Sequence, residues 1–245
     1  MDIPADIDAM VGATTFDFTD EVVVVTGGAG ALGTAVAQRF IDAGAQVAAI
    51  DIADVDDAHE ALPEDENIGY HQADLTDESS VEEVIDTIVQ EYGQIDILAN
   101  IAGTWRGGSP LHETDASMFD LLFDVNLRTM FLTSKHAMAH LLASNGAIVS
   151  VSARSSLEGG SGDALYRASK AGVRLLTESI AKEHLGTVRA NAVMPSILDT
   201  PMNREMMQPS DEWVDPSDVA DVILFLCSDA SSVTSGVAVP VYGEA

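Results

Sequence analysis

Runs of apolar residues alternate with segments of helical periodicity along most of the chain. Residues 22–25 are apolar without interruption, as in a strand buried on both faces, and residues 31–43 then repeat apolar positions at helical spacing. The same order predicts further strands at residues 46–50, 68–72, 95–99, 147–151, 188–193 and 237–241, and helices at residues 78–92, 118–142, 164–184 and 217–227. This alternation predicts an α/β fold, with helices on both faces of a doubly wound parallel sheet. The ligand crevice of such a sheet lies beyond the carboxyl ends of its strands.

The length of the chain fits one large domain. Of 245 residues, 47% are hydrophobic, which is enough for a buried core. We expect a single domain over residues 21–245, preceded by an N-terminal extension over residues 1–20. No stretch of about eighteen apolar residues occurs, and the N-terminus carries acidic residues where a signal peptide would carry basic ones. We therefore expect a cytoplasmic protein with no membrane partner.

The charge balance is strongly acidic. Forty Asp and Glu residues against 11 Lys and Arg residues give a formal net charge of -29. This excludes nucleic acid as a partner, because a polyanion would be repelled where no basic patch attracts it. Self-repulsion destabilises a compact state unless counterions screen it, and the screening length falls to about 3 Å at molar salt. We interpret the acidity as adaptation to a halophilic cytoplasm; the alternative is an acidic interaction surface or a disordered acidic tail.

A glycine-rich turn lies between the first predicted strand and the first predicted helix. Gly28, Gly30 and Gly33 have the G-x-G-x-x-G spacing. In this context the missing side chains let the backbone approach a pyrophosphate, which the helix N-terminus attracts. The turn therefore predicts dinucleotide binding through Gly27, Gly30, Leu32 and Gly33. The alternative is a strand-to-helix turn that binds nothing.

An acidic residue ends the second predicted strand. Asp51 follows the glycines by about twenty residues, where a carboxylate can accept hydrogen bonds from the adenosine ribose hydroxyls. A 2′-phosphate would meet this negative charge, and no Lys or Arg occurs between Arg39 and Arg106 to compensate it. We therefore predict NAD, not NADP, as the cofactor, although Asp51 could also be an ordinary solvated acid. Asp74, after the third strand, is a further candidate for contact with the adenine.

A tyrosine and a lysine share one face of a predicted helix. Tyr166 and Lys170 are four residues apart, so their side chains lie one above the other. An ammonium beside a phenol favours the phenolate and lowers the tyrosine pKa from about 10, which suits a general acid or base near neutral pH. Such a pair by itself is usually helix surface. Here lysine is scarce, and the pair lies near a strand end where the nicotinamide is expected.

Several motifs, in order along residues 22–243, resemble those of the short-chain dehydrogenase/reductase family. They are the glycine turn, Asp51, Asp74-Leu75, Asn100-Ile101-Ala102-Gly103, Asn126, Tyr166-Arg-Ala-Ser-Lys170, and residues 195–200. The resemblance implies one Rossmann-like domain and an NAD-dependent oxidoreductase. Such an enzyme moves hydride between NAD and a small carbonyl or alcohol substrate.

The resemblance also implies roles for individual residues. Tyr166 would exchange the proton, while Lys170 would bind the nicotinamide ribose and tune Tyr166. Asn126 would hold a water that links Lys170 to solvent. The implied cofactor contacts further include Asp74, Leu75, Asn100, Ala102, Pro195, Ile197 and Thr200, of which the last three would hold the carboxamide. A segment over residues 197–211 would close the cleft.

One position departs from the family pattern. The family usually has a serine thirteen residues before its tyrosine, and this position is Ala153 here, so the usual carbonyl-polarising hydroxyl is missing. Ser152 is expected to point to the opposite side of an extended strand, whereas Ser155 shares the side of Ala153 and is predicted to contact the substrate. The alternative is that both serines only satisfy the backbone of a turn.

Other features are similar to the dihydropteridine reductase subfamily. They include Ala31 in the glycine turn, Trp105, and the serine-free position at Ala153. The quinonoid pterin substrate of that subfamily is electron-poor and needs less carbonyl polarisation. Trp105 is predicted to stack on a planar substrate; the alternative is a packing residue.

Assembly and competing functions remain open at this point. The resemblance implies a homodimer or homotetramer, packed through the helices that carry Asn126 and Tyr166. A 3-oxoacyl thioester reductase is an alternative enzyme, which Asp51 disfavours. A non-catalytic NAD-binding sensor or structural protein is the alternative of another class, although retention of a tuned proton donor favours an enzyme. No metal site is predicted, because His136 and His140 lie one helical turn apart without a third ligand.

Overall fold

A single parallel sheet forms the centre of the computed structural model, which describes residues 16–243. Its seven strands lie in the order β3-β2-β1-β4-β5-β6-β7. The strands are β1 (Val22–Thr26), β2 (Gln46–Asp51), β3 (Ile68–Gln72), β4 (Ile97–Asn100), β5 (Ala147–Val151), β6 (Arg189–Pro195) and β7 (Ala238–Val241). Every adjacent pair is parallel, so the predicted fold class is confirmed.

Helices connect the strands and cover the sheet. Within residues 16–243 they are α1 (Ala31–Asp42), α2 (Val55–Ala61), α3 (Glu78–Tyr92), α4 (Ala116–Phe123), α5 (Thr129–Ser144), α6 (Ala164–Glu183), α7 (Pro201–Met206) and α8 (Pro216–Cys227). Two of them, α2 and α7, are not predicted from the sequence, because α2 buries only Ala58 and α7 buries no residue. The segment predicted as helical over residues 118–142 is divided by a π-helical turn, Asp124–Arg128.

The two faces of the sheet form separate apolar layers. In β1, Val23 and Val25 belong to the layer that includes α1 and α8. Val24 belongs to the opposite layer, with residues of α3, α5 and α6. Because successive side chains of a strand point to opposite faces, an uninterrupted valine run serves both layers at once.

The winding of the sheet reverses beside β1. This strand pairs with β2 on one side and with β4 on the other. The strands from β1 to β3 therefore follow one another toward one edge of the sheet, and those from β4 to β7 toward the opposite edge. At such a switch point the connections that follow the two central strands diverge, which leaves a crevice at their carboxyl ends. The glycine turn follows β1, and residues 101–115 follow β4, so both border this crevice.

The predicted N-terminal extension, residues 1–20, falls largely outside the described residues. Its final part belongs to the fold, since Phe18 is 2% exposed and its ring packs edge-on against Phe40 of α1. Between residues 16 and 243, no helix combines the length and apolar character that crossing a membrane requires.

A half-buried carboxyl group beside β1 makes stability depend on pH. Burial and the nearby Asp96 and Asp229 carboxylates raise the pKa of Glu21 to about 7. The folded state therefore holds a proton that the unfolded chain releases at lower pH, so this contribution is lost as the pH rises through about 7. We expect Glu21→Gln to raise the free energy of unfolding by about 1 kcal/mol at about pH 8, after allowance for solvent screening, and to change it little near pH 4.

Thermal unfolding of both proteins at these two pH values, in molar KCl, measures the difference. Glu64→Gln, at an exposed position, is a control with the same change of net charge. An equal gain from the two variants at alkaline pH would show that net charge, not the burial of Glu21, causes the effect.

Candidate active site

The glycine turn after β1 leaves no room for side chains at two positions. Gly27 has a φ angle of +66°, and a Cβ there would lie 2.9 Å from the Cα and N atoms of Ala102. A Cβ at Gly33 would lie 2.0 Å from the carbonyl oxygen of Gly27. The turn therefore packs closely against the loop after β4 and presents its backbone at the crevice.

The start of α1 fits a pyrophosphate. Gly30 is the N-cap residue of this twelve-residue helix and has no side chain to accept hydrogen bonds from the first turn, which also lacks acidic residues. These N–H groups and the positive end of the helix dipole suit a phosphate. Leu32, also predicted here, is 7% exposed and packs in the core, so its side chain does not face the crevice.

Thr26 joins the two central strands where they end, a role that the sequence does not reveal. Its hydroxyl oxygen accepts hydrogen bonds from the N atoms of Ile101 and Ala102, at 3.0 and 3.2 Å. The predicted contact residue Ala102 is thereby held against the glycine turn. A threonine at the last position of a buried strand gives no sequence signal of such a bridge.

Asp51 lies between the end of β2 and the glycine turn. Its Oδ2 atom accepts a hydrogen bond from the N atom of Ala29 at 3.1 Å, while Oδ1 accepts from the N atoms of Ile52 and Ala53 at 2.7 and 3.2 Å. The hydroxyl of Tyr70 donates to the backbone carbonyl of Asp51 at 3.2 Å, which fixes this turn from β3. The carboxylate is therefore held at the crevice, where the sequence analysis places an adenosine ribose.

Other predicted cofactor residues divide between surface and interior. Asp74 is exposed after β3 and accepts hydrogen bonds from the N atom of Thr76, at 2.9 Å, and from its hydroxyl. Leu75 is 6% exposed and packs in the core. Asn100 is also buried, and its amide bonds to hydroxyls of α5 and β5, those of Thr133, Ser134 and Ser150. The side chains of Leu75 and Asn100 thus support the site from inside.

Lys170, Asn126 and Gly103 meet at the crevice. Lys170 is 4% exposed, and its Nζ atom donates a hydrogen bond to the carbonyl oxygen of Val151 at 2.8 Å. A Cβ at Gly103 would lie 2.9 Å from Lys170 Nζ and 3.0 Å from Asn126 Oδ1. Tyr166 lies one turn before Lys170 on α6. The structure therefore brings two of the predicted catalytic residues close together, next to the helical turn that carries the third.

The π-helical turn places Asn126 against the loop after β4. The Asn126 Oδ1 atom accepts from the N atom of Thr104 at 2.7 Å, and its Nδ2 atom donates to the Thr104 carbonyl and to the Ser169 hydroxyl, each at 3.0 Å. Such turns insert an extra residue into a helix and are frequent at functional sites. The poor helix propensity of asparagine is the sequence signal that marks this interruption.

Burial shifts the pKa values of both members of the Tyr166–Lys170 pair. It lowers the pKa of Lys170 to about 8. Burial and the nearby Asp163 raise the pKa of Tyr166 to about 12, and Arg167 partly opposes this. The expectation that Lys170 lowers the tyrosine pKa is contradicted, because desolvation of the phenol and the Asp163 carboxylate at the start of the same helix raise it.

The position of the family serine is apolar in this chain. Ala153 is 7% exposed at the end of β5. The Ser152 hydroxyl donates to the backbone carbonyl of Lys170 at 2.8 Å, so it ties β5 to α6. Ser155 is half-buried in the short 3-10 turn that follows. Of the two serines, Ser155 is therefore the one left for a contact with substrate.

Arg167 fastens the loop between β5 and α6. Its Nε atom lies 2.7 Å from Asp163 Oδ1, and its Nη1 atom donates to the carbonyl oxygens of Ser155 and Glu158 at 3.4 and 3.3 Å. A Cβ at Gly160 would lie 2.1 Å from Arg167 Nε, so the guanidinium packs directly on the loop. The residue next to Tyr166 thus shapes one wall beside the site.

Trp105 lines a cavity and does not pack in the core. Its side chain is 45% exposed, which disfavours the packing interpretation. The cavity, about 380 Å³, is bordered by the loops that follow β4 and β5, and its lining residues are Trp105, Gly108, Pro110, Ser161, Gly162 and Asp163. Because Asp163 precedes Tyr166 by three residues, this cavity adjoins α6.

The segment after β6 carries the last of the predicted cofactor residues. Pro195 ends the strand and is buried, whereas Ile197 is 44% exposed. The hydroxyl of Thr200 accepts a hydrogen bond from the N atom of Asn203 at 3.2 Å and so caps α7. The side chain of Ile197 is therefore exposed, while Thr200 stabilises the first turn of α7.

Known proteins are similar to this chain over most of its length. Residues 27–243 match a family model described as enoyl-(acyl carrier protein) reductase. The chain is 35% identical to a cis-4-hydroxycyclohexanecarboxylate dehydrogenase of Sinomonas cyclohexanicum over 243 residues, which span 92% of this chain and 96% of that protein. It is 34% identical to a 3-oxoacyl-(acyl-carrier-protein) reductase of Thermotoga maritima over 241 residues, or 91% and 96% of the two chains.

A solved structure is also similar over nearly the whole chain. Carveol dehydrogenase from Mycobacterium avium, crystallised in complex with NAD, superposes with a TM-score of 0.84 at 26% identity, covering 94% of this chain and 99% of that one. The chain belongs to the short-chain dehydrogenase/reductase family. It is an oxidoreductase that uses a nicotinamide cofactor to interconvert a carbonyl compound and an alcohol.

Proposed function

We propose that this enzyme is NAD-dependent and that Tyr166 exchanges a proton with its substrate. The observation that carries the proposal is the convergence of Lys170 Nζ and Asn126 Oδ1 on Gly103, one helical turn from Tyr166. A buried ammonium held by a backbone carbonyl is costly for stability. Its presence at a crevice favours a role in binding and proton transfer.

Residues of this chain can carry out the proton transfer that accompanies hydride transfer. A bound nicotinamide supplies or accepts the hydride. With a pKa near 12, the Tyr166 phenol is protonated at neutral pH and is ready to donate to the alkoxide oxygen that forms when a ketone is reduced. Lys170 would hold the nicotinamide ribose, and Asn126 would position a water that carries protons between Lys170 and solvent. In the oxidative direction Tyr166 would accept the proton of the alcohol, which requires its phenolate form.

The substrate is a small ketone or secondary alcohol that reacts without a serine at Ala153. Ser155, half-buried in the next turn, supplies the nearest candidate hydroxyl. The alternative is an electron-poor quinonoid pterin stacked on the exposed Trp105, since such an acceptor needs less polarisation. A 3-oxoacyl thioester, the substrate class of the Thermotoga relative, is a second alternative. The Sinomonas relative makes 4-oxocyclohexanecarboxylate the first ketone to assay.

Removing the phenolic hydroxyl tests the proposed chemistry. We expect Tyr166→Phe to lower kcat for ketone reduction by about 10²- to 10⁴-fold, because the proton donor is lost, while NADH still binds. Initial rates from NADH absorbance and a fluorescence titration of NADH measure the two quantities. Tyr92→Phe, at the far end of α3, is the matched control.

The outcomes separate the competing functions. A Tyr166→Phe enzyme with the wild-type rate would remove the proposed role of Tyr166. Wild-type protein that binds NADH but reduces none of 4-oxocyclohexanecarboxylate, a quinonoid dihydropterin and a 3-oxoacyl thioester would favour the non-catalytic sensor.

We propose NAD over NADP because of the Asp51 carboxylate at the crevice. Its oxygens accept hydrogen bonds from backbone N–H groups at the end of β2 and in the glycine turn, which hold the carboxylate in place. Arg39, the nearest preceding cation in the sequence, is paired with Asp221 of α8 at 2.6 Å. A 2′-phosphate would therefore approach a carboxylate with no arginine to neutralise it.

Initial rates with the two reduced cofactors measure this preference. We expect kcat/KM to be about a hundredfold lower with NADPH than with NADH, and Asp51→Asn to narrow the ratio by removing the like-charge repulsion. Asp54→Asn, at an exposed position three residues further on, changes the net charge equally and serves as control. A wild-type preference for NADPH would overturn the choice of cofactor.

We also propose that the acidic surface is an adaptation to a concentrated-salt cytoplasm. The acids are spread over elements that also carry core residues, as in α3, where Glu82, Glu83 and Asp86 accompany buried Val84 and Ile85. This spread favours solvation of a folded surface over a separate acidic tail.

Salt should therefore stabilise the folded state. We expect the Tm to rise by several degrees between about 0.2 and 2 M KCl, because salt screens the repulsion between the carboxylates. In a chain of this size, about 1 kcal/mol of added stability raises the Tm by about 2–4 °C. Circular dichroism at increasing KCl measures the midpoint, with equal osmolality of sucrose as control. A Tm that does not change with KCl would support the acidic interaction surface instead.

We propose a homodimer or homotetramer that packs through the helices around the catalytic pair. Phe131 of α5 and Leu175 of α6 are 47% and 53% exposed, and Phe119 of α4 is 48% exposed. Large apolar side chains on neighbouring helices favour a covered interface. In such an assembly the helix that carries Tyr166 would be supported on both sides.

A further inference from the structure

Basic side chains are scarce in this chain, and most already have a partner. All eleven lie within residues 16–243. Six form ion pairs with carboxylates: Arg39, Arg128, Lys135, Arg167, Lys182 and Arg204. Four others are occupied or enclosed: Lys170 and Arg189 donate to backbone carbonyls, Arg154 lies over the Tyr242 ring, and Arg174 is part-buried on α6. Arg106 is the remaining one.

Arg106 is exposed, and one of its nitrogens is fixed. The Nη1 atom donates to the hydroxyl oxygen of Thr104 at 3.0 Å and to the carbonyl oxygen of Trp105 at 2.7 Å. These bonds use both hydrogens of Nη1 and orient the guanidinium plane. Among the described residues no hydrogen-bond partner occupies Nε or Nη2, and this is the edge whose parallel N–H groups bind a carboxylate in a bidentate manner.

The loop that holds Arg106 is also bonded to the catalytic residues. Thr104 is bound through its backbone N and O atoms to the amide of Asn126. A Cβ added at Gly103, the preceding residue, would touch Lys170 Nζ. Trp105, on the other side, exposes its ring to the cavity beside α6. The guanidinium is therefore placed at the mouth of the proposed substrate site, next to an apolar surface.

Two of the three carboxylates around Arg106 are engaged elsewhere. A cavity of about 270 Å³ is bordered by Arg106 together with Glu113, Asp115 and Asp163. Asp163 is paired with Arg167, Asp115 caps α4 through Ser117, and Glu113 lies 3.4 Å from His112. These carboxylates disfavour the binding of an anion in the cavity unless a cation contacts the anion directly. At molar salt, where screening acts beyond about 3 Å, direct contact with a guanidinium is the interaction that remains.

We propose that Arg106 binds a carboxylate of the substrate, so that the enzyme acts on oxo acids and the corresponding hydroxy acids. An apolar segment between the carboxylate and the reacting carbon lies on the Trp105 ring. This inference rests on the proposed hydride transfer at Tyr166, and it adds the substrate class. The bidentate bond positions the substrate before reaction, so its effect falls mainly on KM.

Matched acids and methyl esters test the proposal. The probes are 4-oxocyclohexanecarboxylate and 4-oxopentanoate, each with its methyl ester, assayed with NADH in molar KCl. We expect the wild-type kcat/KM to favour each acid over its ester by about ten- to a hundredfold, as for a charge-assisted hydrogen bond at a site open to water. Arg106→Gln should lower kcat/KM for the acids by a similar factor and for the esters far less, and Arg106→Lys should restore part of the loss.

Lys182→Gln is the charge control, because it also removes one positive charge and lies at the far end of α6. An NADH titration of Arg106→Gln shows whether the variant folds. The proposal is overturned if the wild type prefers neither acid, if Arg106→Gln keeps the preference, or if Lys182→Gln abolishes it equally. If the wild type reduces the esters but not the acids, substrate binding by Arg106 is wrong while the hydride transfer stands. If it reduces no ketone with either cofactor, the proposed function itself fails.

Discussion

The site depends on a lysine ammonium that the fold keeps out of water. Lys170 is 4% exposed, and the Val151 carbonyl at the end of β5 holds its Nζ atom. This contact fixes α6 to the sheet and so determines where Tyr166, one turn earlier, lies relative to the crevice. Desolvation lowers the pKa of this amine and raises that of the phenol, so the same burial that positions the pair also determines its protonation.

The loop after β4 connects the remaining parts of the site. Thr26 holds its start against the glycine turn, and Asn126 holds Thr104 through both backbone atoms. Gly103 lies between these anchors and leaves the space that Lys170 and Asn126 share. One short segment is thus bonded to β1 and to Asn126 of the π-helical turn, and Asn126 is in turn bonded to Ser169 of α6. A shift in any of these elements would move the dinucleotide side and the substrate side together.

The charged side chains at the proposed site differ in sign between its two ends. In a chain with 40 acidic and 11 basic residues, most cations between residues 16 and 243 are neutralised by a carboxylate or enclosed in the fold. In the proposed site the cofactor would meet the Asp51 carboxylate, and the substrate would meet the Arg106 guanidinium. This arrangement suits a cofactor that is recognised through its ribose hydroxyls and a substrate that carries an anionic group. Because concentrated salt removes long-range fields, such recognition depends on groups in direct contact.

The sequence by itself determined the fold class, the glycine turn, Asp51 and the Tyr166–Lys170 spacing, since these follow from local periodicity and from residues close together in the chain. It did not show that the Leu32, Leu75 and Asn100 side chains turn inward, that the helix breaks at Asn126, or that the Tyr166 pKa rises. Those properties were decided only by the tertiary structure. Burial and electrostatic surroundings depend on which segments, distant in the chain, pack together, and no local pattern records that.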